Sequence, residues 1–284
     1  MNEKEYDGIV STLPDVFTST EKNSYFYQAT RSQAYDELSQ AQRYTMVYRD
    51  PVTNRNDTTS LPETYVYPNE NLRGDLRQQS VYELRTVAGN STNYSNLRQT
   101  QYKYKTGRYV TLYRLQTVYL RYAEALNRLG LPESAFAVLK YGLCDDNLKV
   151  NIGGKPVDRI PQWEREKAGD LISFSQYTFT RNNTQGIHSR GCGNADADKT
   201  FVIPACANLT DSILRVEDLI ADEMALETAS EGQRWYDLMR ISMHRGDDGE
   251  FLARKVAGRE GQTKFNEARY KYLLDTHNWY LPLE

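Results

Sequence analysis

From Leu112 onward the spacing of apolar residues turns helical, and this change of period limits what the chain can fold into. Leu112, Leu115, Tyr119, Tyr122, Leu126 and Leu129 follow one another at alternating steps of three and four, which puts all six on one face of an α-helix. Gly130-Leu131-Pro132 ends that helix and opens another with Ala135, Val138 and Leu139 turned inward, since proline suits a first helical turn. The result is a helical hairpin over 112–143, the size of one tetratricopeptide-like unit. A second hairpin is expected over 211–245. There Asp211 is the N-cap, and Val216, Leu219, Ile220, Met224 and Leu226 form one inner face. Glu231-Gly232-Gln233 makes the corner, and Trp235, Leu238, Met239 and Ser242 form the other face.

The remaining segments are less regular. Residues 1–111 read as a loop-rich region with some helix within 25–47, where Tyr27, Thr30, Ala34, Leu38 and Ala41 recur at helical spacing. Turns at Asp50-Pro51, Leu61-Pro62, Tyr67-Pro68-Asn69 and Gly89-Asn90 follow, with short extended pieces such as Thr100 to Tyr104. Residues 144–210 form an irregular insert, expected to pack on the helices or border a site, because compact domains seldom carry such a segment idly. Residues 246–284 read as a C-terminal tail. The expected fold is mainly α: tetratricopeptide-like hairpins packed against a large loop-rich region with few short strands, the 284 residues forming a single portion.

Composition removes several classes of function. With 35 Lys+Arg against 38 Asp+Glu the net charge is -3, so no basic surplus exists to neutralise a nucleic-acid backbone. No apolar run approaches the roughly 18 residues of a membrane-spanning helix, and Met1 to Asp7 lacks the apolar core of a signal peptide. The length buries a core without help from disulfides or metals. Cys144, Cys192 and Cys206 show no C-x-x-C spacing. A Cys192–Cys206 disulfide and a pair of buried free thiols both stay open. Tyrosine stands out at 22 residues, 15 of them between Tyr25 and Tyr122, and its ring with a hydroxyl suits half-wet surfaces.

Candidate chemistry is sparse. Glu223, Glu227 and Glu231 stand one helical turn apart, and a pair of carboxylates is what glycoside hydrolysis uses. The ordinary expectation for such a row is a solvated, salt-bridged face, here with Arg215 and Arg234 nearby. His188, His244 and His277, the only histidines, are read as surface or hydrogen-bonded residues without a partner ligand a turn away. Asn194, Asp196 and Asp198 begin like a calcium loop, but Lys199 and Ala205 occupy its glycine and glutamate positions. No catalytic residue, metal or cofactor is assigned. What remains is binding by stacking, because the C–H face of a pyranose suits an aromatic platform and its hydroxyl rim suits polar side chains. Tyr65, Tyr67, Tyr94, Tyr102 and Trp163 are the candidate platforms, with Asn69, Arg73, Asn93 and Asn96 as polar partners. Tyr113, Tyr119, Tyr122 and Trp235 are assigned to packing.

Asp222 to Arg240, above all its end Glu-Gly-Gln-Arg-Trp-Tyr-Asp-Leu-Met-Arg, closely resembles the signature helix pair of SusD/RagB outer-membrane nutrient-binding proteins. Three further segments are similar to that family in the expected order: Tyr113-Arg114-Leu115 leading into Val118 to Leu126, then Gly186 to Gly193, then Trp279 to Leu283. Gly74-Asp75-Leu76-Arg77 adds a weaker match. The resemblance implies a C-terminal portion of a lipid-anchored protein on the surface of Bacteroidetes-type bacteria. Such proteins capture oligosaccharides or peptides without catalysis and pass them to a TonB-dependent, SusC-like transporter. It also implies that ligand residues come from loops ahead of Tyr113, and that the glutamate row and the Arg-Trp corner are structural. Two other readings compete with it: a helical-repeat module that binds proteins, and a hydrolase that uses Glu227.

Overall fold

The computed structural model describes residues 31–42, 45–49, 56–60, 74–86, 97–101, 114–173, 185–193, 195 and 198–280. Among them the chain is mainly helical, with three two-stranded antiparallel sheets. It divides into two compact units, one of Leu38–Arg77 and Arg114–Thr228, the other of Met1–Glu37, Gln78–Tyr113 and Ala229–Glu284. The boundary falls inside helix α1, Gln33–Ala41. That helix ends at Ala41, short of Val47, and Thr45–Arg49 (β1) instead pairs with Asn56–Ser60 (β2) from Thr45 opposite Ser60 to Arg49 opposite Asn56. Tyr27 and Thr30 lie outside the described residues.

The first unit is built on the expected hairpin. Leu115–Arg128 (α3) turns through Leu129-Gly130-Leu131 into Pro132–Tyr141 (α4). Ala135, Val138 and Leu139 are buried as the pattern requires. The buried face of α3 is rotated from the predicted one: Tyr119, Leu120, Ala123 and Leu126 are interior, while Leu115 is 36% and Leu129 54% exposed. The steps of three and four located the helix correctly but took its two end leucines as core. Leu112 lies outside the described residues.

The insert is more ordered than its sequence suggests. Lys149–Ile152 (β5) and Lys155–Asp158 (β6) form an exposed hairpin whose turn residues, Gly153 and Gly154, both have positive φ, as a two-residue primed turn demands. Gln162–Ala168 (α5) then packs on α4. Its Glu164 accepts hydrogen bonds from the first-turn amides of α4, Glu133 N at 3.0 Å and Ser134 N at 2.7 Å. One turn later Lys167 donates to the carbonyls at the end of α3, Leu129 O at 2.9 Å and Gly130 O at 3.4 Å. An anion thus meets a helix N-terminus and a cation a C-terminus, the signs that the backbone dipoles favour. Ile187–Cys192 (α6) lies against α3, α4 and α7, where α7 is Leu209–Glu227.

Helix α7 packs on α3 and α4, and its Val216, Ile220 and Met224 are buried. Its N-cap is Asn208, whose side chain accepts from Asp211 N at 2.9 Å. Asp211, expected as the cap, sits one turn inside and accepts from Ala207 N at 3.1 Å, so the two residues cap the helix start reciprocally.

The second unit contains Arg234–Arg245 (α8), Glu250–Ala257 (α9) and Glu267–Leu274 (α10), with α9 against both neighbours. The two helices of the predicted second hairpin both form, but α7 belongs to one unit and α8 to the other. Residues 246–284, read as a tail, hold α9, α10 and short 3-10 turns. Trp279 is buried there, donating Nε1–H to Leu273 O at 2.8 Å. The unit also holds the short helix Gln78–Val81 (α2) and Tyr82–Thr86 (β3) paired with Leu97–Gln101 (β4). No helix among the described residues is long and apolar enough to cross a membrane.

Candidate functional site

The first unit encloses a cluster of charged side chains. Arg77 lies at its centre, its side chain 7% exposed. Its Nε and Nη2 donate to Asp75 at 2.9 Å and 2.6 Å. Nη2 also lies 2.7 Å from Glu223 Oε2, and Nη1 lies 3.3 Å from Glu227 Oε2. Arg114, at the N-cap of α3, donates to the other Glu227 oxygen and to the Glu227 carbonyl. Arg190 on α6 approaches Glu227 at 3.6 Å from a half-exposed position. The glutamate row is therefore no solvated face. Glu223 and Glu227 are buried, and Arg77 and Arg114 are partners to them. Arg215 pairs instead with Asp211.

His188 extends the cluster. Its Nδ1 lies 2.8 Å from Glu223 Oε1 and its Nε2 2.8 Å from Asp198 Oδ2, all three side chains about 1% exposed. A carboxylate can only accept, so a ring nitrogen facing one on each side must donate from both, and the ring carries charge. Burial works against that charge, yet hydrogen bonds to Asp198, Cys192 and Glu223 outweigh it and push His188 up to about 11. Burial likewise opposes the Glu223 carboxylate, but Arg77 and His188 beside it hold its pKa down at about 2. Asp198 is held well below the usual carboxylate range against its own burial, by His188 and by Thr200, which donates both N–H and O–H to Oδ1. Four carboxylates, Asp75, Asp198, Glu223 and Glu227, meet four cations, Arg77, Arg114, Arg190 and His188.

The surroundings fix the ring. Phe201 stacks on His188 at 3.7 Å between centroids, 9° from parallel. Lys140, itself buried, donates to the carbonyls of Asp198 at 2.8 Å and Phe201 at 2.7 Å. Gln42 donates to Glu223 Oε1 at 2.7 Å. Gly191 is required by contact: a Cβ there would stand 2.1 Å from Asp75 Oδ2, and its carbonyl accepts from Leu76 N at 3.0 Å. Gly186 is hemmed in similarly, its Cβ direction ending 2.4 Å from the Lys140 backbone.

The sequence-predicted binding residues Tyr65, Tyr67, Asn93, Tyr94 and Tyr102 lie outside the described residues, as do Asn69, Arg73 and Asn96. Trp163 stands 46% exposed on the first turn of α5, not in a loop. Of the calcium-like trio, Asn194 and Asp196 lie outside the described residues, and the Asp198 carboxylate is taken up by His188 and Thr200. All three cysteines are free, Cys144 and Cys192 buried and Cys206 half-exposed.

Sequence reasoning missed the pairing of the glutamates with Arg77 and Arg114, which no spacing rule predicts. It weighed Cys192 only as a disulfide partner or a buried thiol and gave His188 no ligand a turn away, although Cys192 stands at that spacing. Compared with family models, curated proteins and solved structures, the chain matches none of them.

Proposed function

We propose that this chain is the C-terminal portion of a SusD/RagB-type nutrient-binding protein. It captures oligosaccharides at the bacterial outer surface, without catalysis, for a TonB-dependent transporter. The observation that carries the reading is the helix pair Asp222 to Arg240, whose Glu-Gly-Gln-Arg-Trp-Tyr-Asp-Leu-Met-Arg end closely resembles that family's signature. A second observation supports it. The matched segments around Asp75 and Arg77, at Arg114, around His188 and Arg190, and at Glu223 and Glu227 are far apart in sequence yet meet in one buried ion-pair cluster. Their convergence is what segments building one scaffold would show, and it supports the reading.

The same cluster argues for binding over hydrolysis. A glycosidase needs two carboxylates open to a sugar, and Glu223 and Glu227 are buried against arginines. Sugar contact then falls to surface aromatics. Trp163 is the exposed candidate among the described residues, with Tyr65, Tyr67, Asn93, Tyr94 and Tyr102 as the proposed remainder. Isothermal titration of the full-length protein against a panel of glycans and peptides tests the reading. Saturable glycan binding without turnover supports it, peptide binding alone redirects it to peptide capture, and uniform silence overturns it.

A further inference from the structure

His188, Cys192 and Asp198 bring an imidazole, a thiol and a carboxylate together in the interior, their ligand atoms all within 4.8 Å of one another. His188 and Cys192 stand at i and i+4 on α6, which faces two ligands the same way. The third arrives from the chain that follows that helix. From these positions we infer a buried site for one thiophilic divalent cation, zinc first among them, held by His188 Nε2, Cys192 Sγ and Asp198 Oδ2.

The groups around these three behave as an outer shell. Glu223 Oε1 takes the Nδ1–H of His188 at 2.8 Å, so the lone pair of a neutral ring falls on Nε2, the nitrogen facing Asp198. A carboxylate behind the ligating histidine is the usual way such a ring is oriented and made more basic. Thr200 occupies Asp198 Oδ1 with its N–H and O–H, which leaves Oδ2 turned to the cation. Phe201 lies flat on the ring and keeps the site apolar on that side.

The charge balance is preserved on loading. The ring and the thiol release one proton each to solvent, and a cation of charge two takes their place. The buried arginines and glutamates therefore keep the charges they already neutralise. A thiolate with an imidazole selects zinc over magnesium or calcium, which prefer oxygen. Three protein ligands leave the fourth position of a tetrahedral zinc to a water.

The test uses the whole chain, stripped with a chelator, equilibrated with zinc chloride alone and freed of unbound metal before elemental analysis. One zinc per chain is expected, with a rise in melting temperature, and cobalt in its place should show a thiolate-to-cobalt charge-transfer band. Cys192→Ala should weaken zinc binding by at least the 10–100-fold typical of disturbing even an outer-shell partner, with an unchanged far-ultraviolet dichroism spectrum. Cys206→Ala should bind as the parent does. Failure to retain zinc, absence of the thiolate band, or equal binding by a folded Cys192→Ala variant overturns the site.

Discussion

Replacing Arg77 by methionine keeps most of the side-chain volume and removes the guanidinium that holds three carboxylates together. Asp75, Glu223 and Glu227 would be left facing one another within a few ångströms of the former Nη atoms, at 2.6, 2.7 and 3.3 Å, in side chains at most 3% exposed. Removing one partner of a buried ion pair costs about 3–5 kcal/mol, because the other charge stays behind without compensation. Asp75 loses the cation it pairs with, while Glu223 keeps His188 and Glu227 keeps Arg114 and Arg190, so the loss falls within that range, against about 5–15 kcal/mol for a whole domain. At a urea dependence of about 1–3 kcal/mol per molar, the unfolding midpoint should fall by at least about 1 M. The carboxylates have one escape, which is to bind protons, so the penalty should shrink as the pH is lowered from 7 towards 4. Urea titrations of parent and Arg77→Met at several pH values, with chelator present, measure both effects. A loss below about 1 kcal/mol, or one independent of pH, would refute the assignment of Arg77 as the counter-charge of the cluster.

Three other outcomes follow from the same geometry. Gly191→Ala should destabilise by about 1–3 kcal/mol, the usual cost of overfilling a packed site, since its methyl would collide with the Asp75 carboxylate; thermal unfolding reads the change. Glu227→Gln should cost at least about 2 kcal/mol by breaking its contacts with Arg77 and Arg114, read by urea titration. A hydrolase would reverse the emphasis, losing turnover in Glu227→Gln at unchanged stability. In the metal-free chain stability should decline on both sides of neutrality. The Glu223 contribution, present above 4.5, is lost as the pH falls towards about 2, and the His188 contribution, complete below 6.5, is lost as the pH rises towards about 11. Melting temperatures of His188→Gln across the alkaline window should show a flatter profile than the parent; an identical slope would remove His188 from the account.

What the sequence made legible were the parts governed by local rules. Steps of three and four marked α3, α4 and α7, and Pro132 at the first turn of α4 marked where one helix gives way to the next. Asp211 was off by one turn because Asn208 and Asp211 are both good capping residues and spacing alone does not choose between them. The exposed ends of α3, Leu115 and Leu129, show the limit of periodicity: it gives a face, and neighbours decide how much of that face is covered. The burial of Glu223 and Glu227 was illegible for the opposite reason. A carboxylate on a helix reads as surface until its counter-charge is known, and that counter-charge, Arg77, lies about 150 residues away in the chain. Resemblance pointed to the segments holding Asp75, Arg77, Arg114, His188, Arg190, Glu223 and Glu227, though not to Asp198, and without indicating that they touch.

The short helix that braces the corner between α3 and α4 also imposes an order on events during synthesis. Glu164 and Lys167 leave the ribosome some thirty residues after the turn they serve, so the nascent hairpin waits with its end groups bonded only to water. At a synthesis rate of roughly 5–20 residues per second that delay lasts on the order of seconds, far longer than the microseconds or less a helix needs to form. The stretch in between holds the brace helix through Asp158, which accepts from Arg165 at 2.7 Å, but its tip at Gly153 and Gly154 is open, since a Cβ added at either would meet nothing within 4 Å. A reporter peptide or a crosslinkable tag can therefore be inserted at that tip to time the arrival of the brace on stalled ribosomes.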